Sequence, residues 1–214
     1  MALSITQVPI GGFDENFSYL ITDETSGEGL LVDPSGSVEQ LLAAATAAAV
    51  LVRGHLITHT HFDHIDGLDL ARERFPTPVY VHEAGTSALT PPLAPIVEGT
   101  MITLGGGQLT VMHAPGHSSD SVCFFVPATD AADGIPKLIS GDTLFVSRCG
   151  RTDRTHVAEL YDSLQRLKTL PPETVIYPGH DYGETPTTTL AHECSHNQFL
   201  TAPDQETFTA RRLP

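Results

Sequence analysis

Residues 58–64 read Thr58-His59-Thr60-His61-Phe62-Asp63-His64, so three histidines and a carboxylate fall within six positions, just after an apolar run. A loop leaving a strand can aim side chains at i, i+2, i+4 and i+5 into one cleft, and imidazole with carboxylate is the donor set of zinc and of non-haem iron. At this composition, chance supplies the four-residue pattern on the order of 0.002 times. Four such groups have no inexpensive way to be buried side by side without a cation, because unpaired polar burial costs several kcal/mol. An isolated histidine is ordinarily a surface or core imidazole bonded to backbone, and His55, His82, His113 and His156, which lack partner spacing, are read that way.

Working outward, three later residues stand where further ligands are expected, each after an apolar strand. His117 lies in Ala114-Pro115-Gly116-His117-Ser118, Asp142 in Leu138-Ile139-Ser140-Gly141-Asp142-Thr143, and His180 in Val175-Ile176-Tyr177-Pro178-Gly179-His180. Each ligand follows a glycine, which lets backbone approach closely enough to aim the next side chain at a site.

Strands are expected at 3–10, 17–22 and 29–33, separated by Gly11-Gly12 and Thr25-Ser26-Gly27. An alanine-rich helix follows at 37–50, with Ser37 as N-cap and Gly54 as its stop, then a buried strand at 55–58. A helix at 67–75, a strand at 78–82, a hairpin over 101–112 around Gly105-Gly106-Gly107 and strands at 121–127 and 137–140 come next. Val157, Leu160, Tyr161, Leu164 and Leu167 lie on one face of a 3.6-residue period and predict a helix over 154–169. A strand at 174–177 and helices at 186–198 and 204–212 complete the chain. Helices and strands alternate without a clean parallel βα rhythm, which favours a mixed sandwich over a doubly wound sheet. No repeat or linker marks a boundary, so 1–214 reads as a single domain with a short C-terminal helical extension from about 186.

The chain has 214 residues, 26 acidic against 11 basic, for a formal charge of -15. Nucleic acid and anionic membrane surfaces are therefore excluded as expected partners, since both require clustered lysine and arginine. With 40% hydrophobic residues and no apolar run near the roughly 18 residues of a membrane span, the composition is that of a soluble globular protein. The opening Met1-Ala2-Leu3-Ser4 has no secretory pattern, and the expected location is cytoplasmic. Cys123, Cys149 and Cys194 sit at no metal-ligand spacing and read as reduced thiols. No feature of the sequence indicates an oligomeric state.

The segment His59-Thr60-His61-Phe62-Asp63-His64 with His117, Asp142 and His180 resembles the ligand set of the metallo-β-lactamase superfamily. Asn16-Phe17-Ser18-Tyr19-Leu20-Ile21 and Leu31-Val32-Asp33-Pro34 resemble its first strands. Within it, Ser140-Gly141-Asp142-Thr143-Leu144-Phe145, Cys149-Gly150-Arg151, Leu170-Pro171-Pro172-Glu173-Thr174 and Gly179-His180-Asp181-Tyr182 resemble glyoxalase II, the hydroxyacylglutathione hydrolases. The resemblance implies an α/β fold, a four-layer αββα sandwich with mixed sheets. It also implies two divalent metal ions, zinc first, with iron or manganese as alternatives. His59, His61 and His117 would hold one ion and Asp63, His64 and His180 the other, with Asp142 bridging. The implied reaction is hydrolysis of a small-molecule thioester, glutathione-derived on this resemblance. A metal-bridging hydroxide attacks the carbonyl, with Asp63 and Asp142 as the catalytic carboxylates and Arg151 and Tyr182 contacting substrate. Only 34 residues follow His180, where the resemblance implies a larger helical domain with basic substrate contacts; Arg211 and Arg212 are the available substitutes.

Two other readings compete. His192-Glu193-Cys194-Ser195-His196 matches the zincin pattern H-E-x-x-H, but only three positions are fixed, chance supplies about 0.03 such matches, and no third histidine follows. Arg148-Cys149-Gly150-Arg151-Thr152-Asp153 and Tyr177-Pro178-Gly179-His180-Asp181-Tyr182 also resemble persulfide dioxygenases, in which His59, His117 and Asp142 would hold a single iron. Phe62 and Ser118-Ser119-Asp120 depart from that pattern. A further hydrolase of the same fold is the remaining enzymatic alternative.

Overall fold

Two six-stranded sheets lie face to face in the computed structural model, which describes residues 3–11 and 14–213. Gly12 of the expected Gly11-Gly12 turn, and Met1 and Ala2 of the opening segment, lie outside the described residues. The elements in chain order are β1 (Leu3–Gly11), β2 (Asn16–Asp23), β3 (Glu28–Val32), α1 (Val38–Ala47), β4 (Leu51–Leu56), α2 (Phe62–Ile65), α3 (Leu68–Arg74), β5 (Val79–His82) and β6 (Leu93–Ile96). They continue as β7 (Met101–Leu104), β8 (Gly107–His113), β9 (Val122–Val126), β10 (Lys137–Gly141), β11 (Leu144–Phe145), β12 (Arg148–Cys149), α4 (Val157–Leu167), β13 (Val175–Pro178), β14 (Thr188–Thr189), α5 (Leu190–His196) and α6 (Gln205–Arg212).

The first sheet runs β1-β2-β3-β4-β5-β6 and the second β14-β13-β10-β9-β8-β7, each mixing parallel and antiparallel pairs. Alternation along the strands explains the layering, because successive side chains point to opposite faces. Tyr19, Ile21, Leu30 and Val32 from the first sheet meet Val111, Phe124, Val126 and Ile139 from the second in one inner core. The intervening Leu20 and Leu31 face outward against Leu41 and Ala45 of α1. On the other side Cys123, Leu138 and Ile176 face Leu160, Leu164 and Leu167 of α4, joined by Leu190, Phe199 and Phe208 from the C-terminal helices. Strands covered on both faces read as nearly continuous apolar runs. The architecture is the expected αββα sandwich.

The details depart from expectation where close packing decides. The first helix stops at Ala47, and Ala49 turns the chain at φ 50. Gly54 is no helix stop. It lies inside β4, where a Cβ would come 2.6 Å from the Tyr80 ring, so the strand begins earlier than the expected 55–58 and ends at Leu56. The region expected as a helix at 186–198 opens with β14, and α5 begins only at Leu190, capped by Thr189. The one-turn α2, the edge strand β6 and the β11–β12 hairpin were not anticipated; each is too short to carry a period.

Candidate metal centre

Sheet closure brings the seven predicted ligand-type residues into three overlapping groups: His59, His61 and His117; His59, His64 and Asp142; and Asp63, His64 and His180. The end of β4 delivers Thr58 and His59. His61 stands at the N-cap of α2, whose single turn carries Asp63 and His64 on one side. His117, Asp142 and His180 follow β8, β10 and β13 of the opposite sheet.

Donor atoms crowd one another. His61 Nδ1 lies 3.0 Å from His59 Nε2 and 2.9 Å from His117 Nε2. His64 Nε2 lies 3.3 Å from His180 Nε2, and Asp63 Oδ2 is 3.5 Å from His180 Nε2 and 3.8 Å from His64 Nε2. Asp142 sits between the groups, with Oδ1 3.3 Å from His64 and Oδ2 3.2 Å from His180 and 3.5 Å from His117.

The outward ring nitrogens are held elsewhere. His117 Nδ1 is 2.9 Å from the Arg151 carbonyl, His180 Nδ1 2.7 Å from the Asp14 carbonyl, and His64 Nδ1 3.0 Å from Asp33 Oδ2. Only an N–H can satisfy those acceptors, which leaves the inward Nε2 lone pairs of all three bare. Buried Asp142 Oδ1 makes no hydrogen bond either. Converging lone pairs and an orphaned carboxylate oxygen repel one another unless a cation lies among them, so these residues fit divalent metal.

Electrostatics in the metal-free chain divide the donors. Burial holds the His117 imidazole below the usual histidine range and His59 well below it. Burial also opposes charge on His64 and His180, but Asp142 outweighs it and raises both. Burial works against the Asp142 carboxylate too, and His64 and His180 overcome it, leaving that carboxyl well below its usual range. An anionic carboxylate beside neutral His59 and His117 is ready for metal, and an entering ion would displace the protons that Asp142 favours on His64 and His180.

Four supporting residues escaped the sequence reading. Asp33, at φ 48, accepts from Thr58 N at 2.7 Å and Thr58 Oγ1 at 2.6 Å in addition to His64, tying the ends of β3 and β4 together. Asp120 accepts from Thr60 N at 2.9 Å and Ser118 Oγ at 2.7 Å, joining the His59–His61 loop to the loop of His117. Asn16 Nδ2 donates to Asp63 O at 3.0 Å and Asp63 Oδ2 at 3.2 Å, and Asp14 orients His180. No local spacing links these residues to their partners; only Asp33 and Asn16 fall in segments that resemble the superfamily.

The centre opens into a cleft of about 420 Å³ bordered by Phe145, Arg151 and Tyr182. A second hollow of about 610 Å³ shares those three residues and extends past Arg148 to Arg212. Tyr182 donates its phenol to Asp14 and stacks on His180 with ring centroids 4.8 Å apart. Among the described residues the Arg151 guanidinium has no carboxylate partner, and Asp153 instead accepts from His156. Arg212 Nε donates to Gly150 O at 2.7 Å, whereas Arg211 turns away to Gln198 and Thr201.

The zincin-like segment forms no such cluster among the described residues: His192 and His196 stack on each other, and Glu193 is buried away from them on backbone and amide donors. Of the remaining histidines, His55 bonds Phe75 O, His113 bonds Ser119 O and His82 accepts from Ala84 N, as expected, whereas His156 bonds the Asp153 side chain; His82 and His113 also stack, with ring centroids 3.9 Å apart.

A sequence profile of the Metallo-beta-lactamase superfamily matches residues 11–180, and the chain belongs to that superfamily. Within it, relatives named hydroxyacylglutathione hydrolase match at 32% to 37% identity. That of Hahella chejuensis is 37% identical over 82% of this chain and 65% of its own length, so the chain spans just under two thirds of that protein. Among solved structures, ETHE1 from Myxococcus xanthus superposes with a TM-score of 0.81 at 30% identity, covering 100% of this chain and 92% of that one. TTHA1623, solved in a di-iron-bound form, gives 0.73 at 32% identity over 88% and 97%.

Proposed function

We propose that this protein is a metallo-hydrolase of the hydroxyacylglutathione hydrolase type, cleaving a small-molecule thioester. The carrying observation is the placement of Asp142 between two donor groups at the floor of an arginine-bordered cleft. The names of the relatives support the substrate class, and the di-iron form of TTHA1623 supports a two-ion centre. His59, His61 and His117 would hold one ion and Asp63, His64 and His180 the other, with Asp142 shared; zinc suits the imidazole-rich set, and iron or manganese can occupy the same donors. When bound, such ions supply Lewis acidity and lower the pKa of water towards neutrality.

The chain's own residues do the rest. Asn16 holds the Asp63 oxygen that faces His64 and His180, so Asp63 can orient the attacking nucleophile or hold its proton. Arg151, free of an acid partner among the described residues, and Arg212, at the far end of the joined hollows, suit the carboxylates of a glutathione-like arm. Tyr182 offers its ring face, since its proton is committed to Asp14. A leaving thiolate, with a parent pKa near 8.5, needs no dedicated general acid. Residues from about 186 form the short helical extension of one domain on this reading.

The test is metal analysis of protein purified without added metal, paired with a thiol-release assay on S-lactoylglutathione. Two divalent ions per chain and thiol release are expected. A persulfide dioxygenase with one iron on His59, His117 and Asp142 is the second reading; the Myxococcus xanthus match, nearly full-length, is compatible with it. One iron per chain, with oxygen consumed on glutathione persulfide, would replace the hydrolase. That scheme leaves His61, Asp63, His64 and His180 without work.

A further inference from the structure

Glu193, the glutamate of the zincin-like segment, is 0% exposed and has a different occupation. Its Oε2 accepts the Ser147 N–H at 2.9 Å and the Asn197 Nδ2 at 2.8 Å. The same Asn197 Nδ2 donates to Arg148 O at 3.0 Å, and Asn197 Oδ1 is itself fixed by Phe199 N at 3.0 Å. Ser147 sits at φ 61, the left-handed region that a non-glycine residue adopts only when its surroundings hold it there. These bonds grip Ser147, in the turn between β11 and β12, and Arg148, the first residue of β12.

That hairpin matters because of where its ends and flanks go. It leaves Asp142 and returns to Arg151, whose carbonyl holds His117 Nδ1. Phe145 lies with its ring centroid 5.8 Å from His180 and 5.0 Å from Tyr182, and Arg148 lines the outer hollow. We infer that Glu193 and Asn197 are positioning residues that lock the 144–149 hairpin and thereby set the wall of the substrate cleft. The kinetic part of this inference rests on the thioesterase reading; the structural part does not. Because Glu193 Oε1 is buried without a partner, glutamine can place its carbonyl on the two donors and its amide where Oε1 lies, whereas alanine leaves the Ser147 N–H unmade.

Amide hydrogen exchange on the metal-loaded protein tests the lock directly. In the wild type, the Ser147 amide should exchange at least about 100-fold more slowly than in a free peptide; Glu193→Ala should lower that protection at least about 10-fold and Glu193→Gln by less than about threefold. In thiol-release assays, Glu193→Ala should raise KM for S-lactoylglutathione about 10-fold with kcat within about twofold, while the lactoyl thioester of 2-mercaptoethanol, which has no arm to reach the hairpin, changes less than about twofold. Free exchange at Ser147 in the wild type, an equal rise in KM for both thioesters, or glutamine performing no better than alanine would overturn the inference. If Glu193→Ala does not fold, the wild-type and Glu193→Gln exchange rates decide it. If the wild type hydrolyses neither thioester, the hydrolase reading fails while the exchange comparison still judges the lock.

Discussion

The outward nitrogen of His64 lies 3.0 Å from Asp33 Oδ2, on the far side of the imidazole from Asp142. Asp33 thus fixes the ring's tautomer and direction from behind while also tying Thr58 to the end of β3. Asp33→Asn keeps the shape but removes the charge and can present an N–H to a ring that already donates. Such outer partners are worth roughly 10–100-fold in metal affinity. Chelator competition should show weakening in that range, and unchanged affinity would refute the role.

Gly179 leaves room that nothing larger can share. A Cβ there would overlap Asp142 Oδ1 and come 3.0 Å from His64 Cε1. Gly179→Ala should therefore retain the far-ultraviolet dichroism of the wild type but lose metal content and thiol release together. A fully metal-loaded, active Ala variant would show that Asp142 is free to move.

At Gly116 the same substitution should cost stability. Its φ is 124, and a Cβ would overlap the Leu160 backbone of α4. Strain of this kind costs about 3 kcal/mol, which lowers Tm by roughly 6–12 °C in a chain of this size. Thermal unfolding of Gly116→Ala within about 2 °C of wild type would contradict the packing described.

His192 and His196 stack with ring centroids 4.4 Å apart, without a third donor nearby among the described residues. His192→Ala should leave metal stoichiometry and turnover within about twofold of wild type, since substitutions away from special features are near neutral. Loss of an ion equivalent in that variant would revive the zincin pattern.

Arg151→Ala probes the cleft rim. Loss of this guanidinium, without an acid partner among the described residues, should raise KM for S-lactoylglutathione about 10-fold with little change in kcat, the signature of lost uniform binding. An unchanged KM would remove Arg151 from the substrate's path.

Residue type was enough to read β2, β3, β9 and β10, which are buried on both faces and so run apolar, and periodicity was enough for α4, which buries one face. The dense run His59–His64 and the glycine-led His117, Asp142 and His180 were legible for a related reason, since ligands leave strand ends in short, typical spacings. The support was not. Asp33, Asp120, Asn16 and Asp14 act across separations of 31, 60, 47 and 166 residues, and nothing in the local sequence separates them from solvated acids and amides. Gly54 looked like a helix stop because the Tyr80 ring that crowds it belongs to another strand.

Each outer donor group draws two members from the first sheet and one from the second: His59 and His61 with His117, Asp63 and His64 with His180. Neither layer alone holds a complete set, and Asp142 arrives only with the second. The ability to capture a cation is thus a report on closure of the sandwich. A chain folded only through β6 would have two of the three members of each grip and would lack the shared carboxylate.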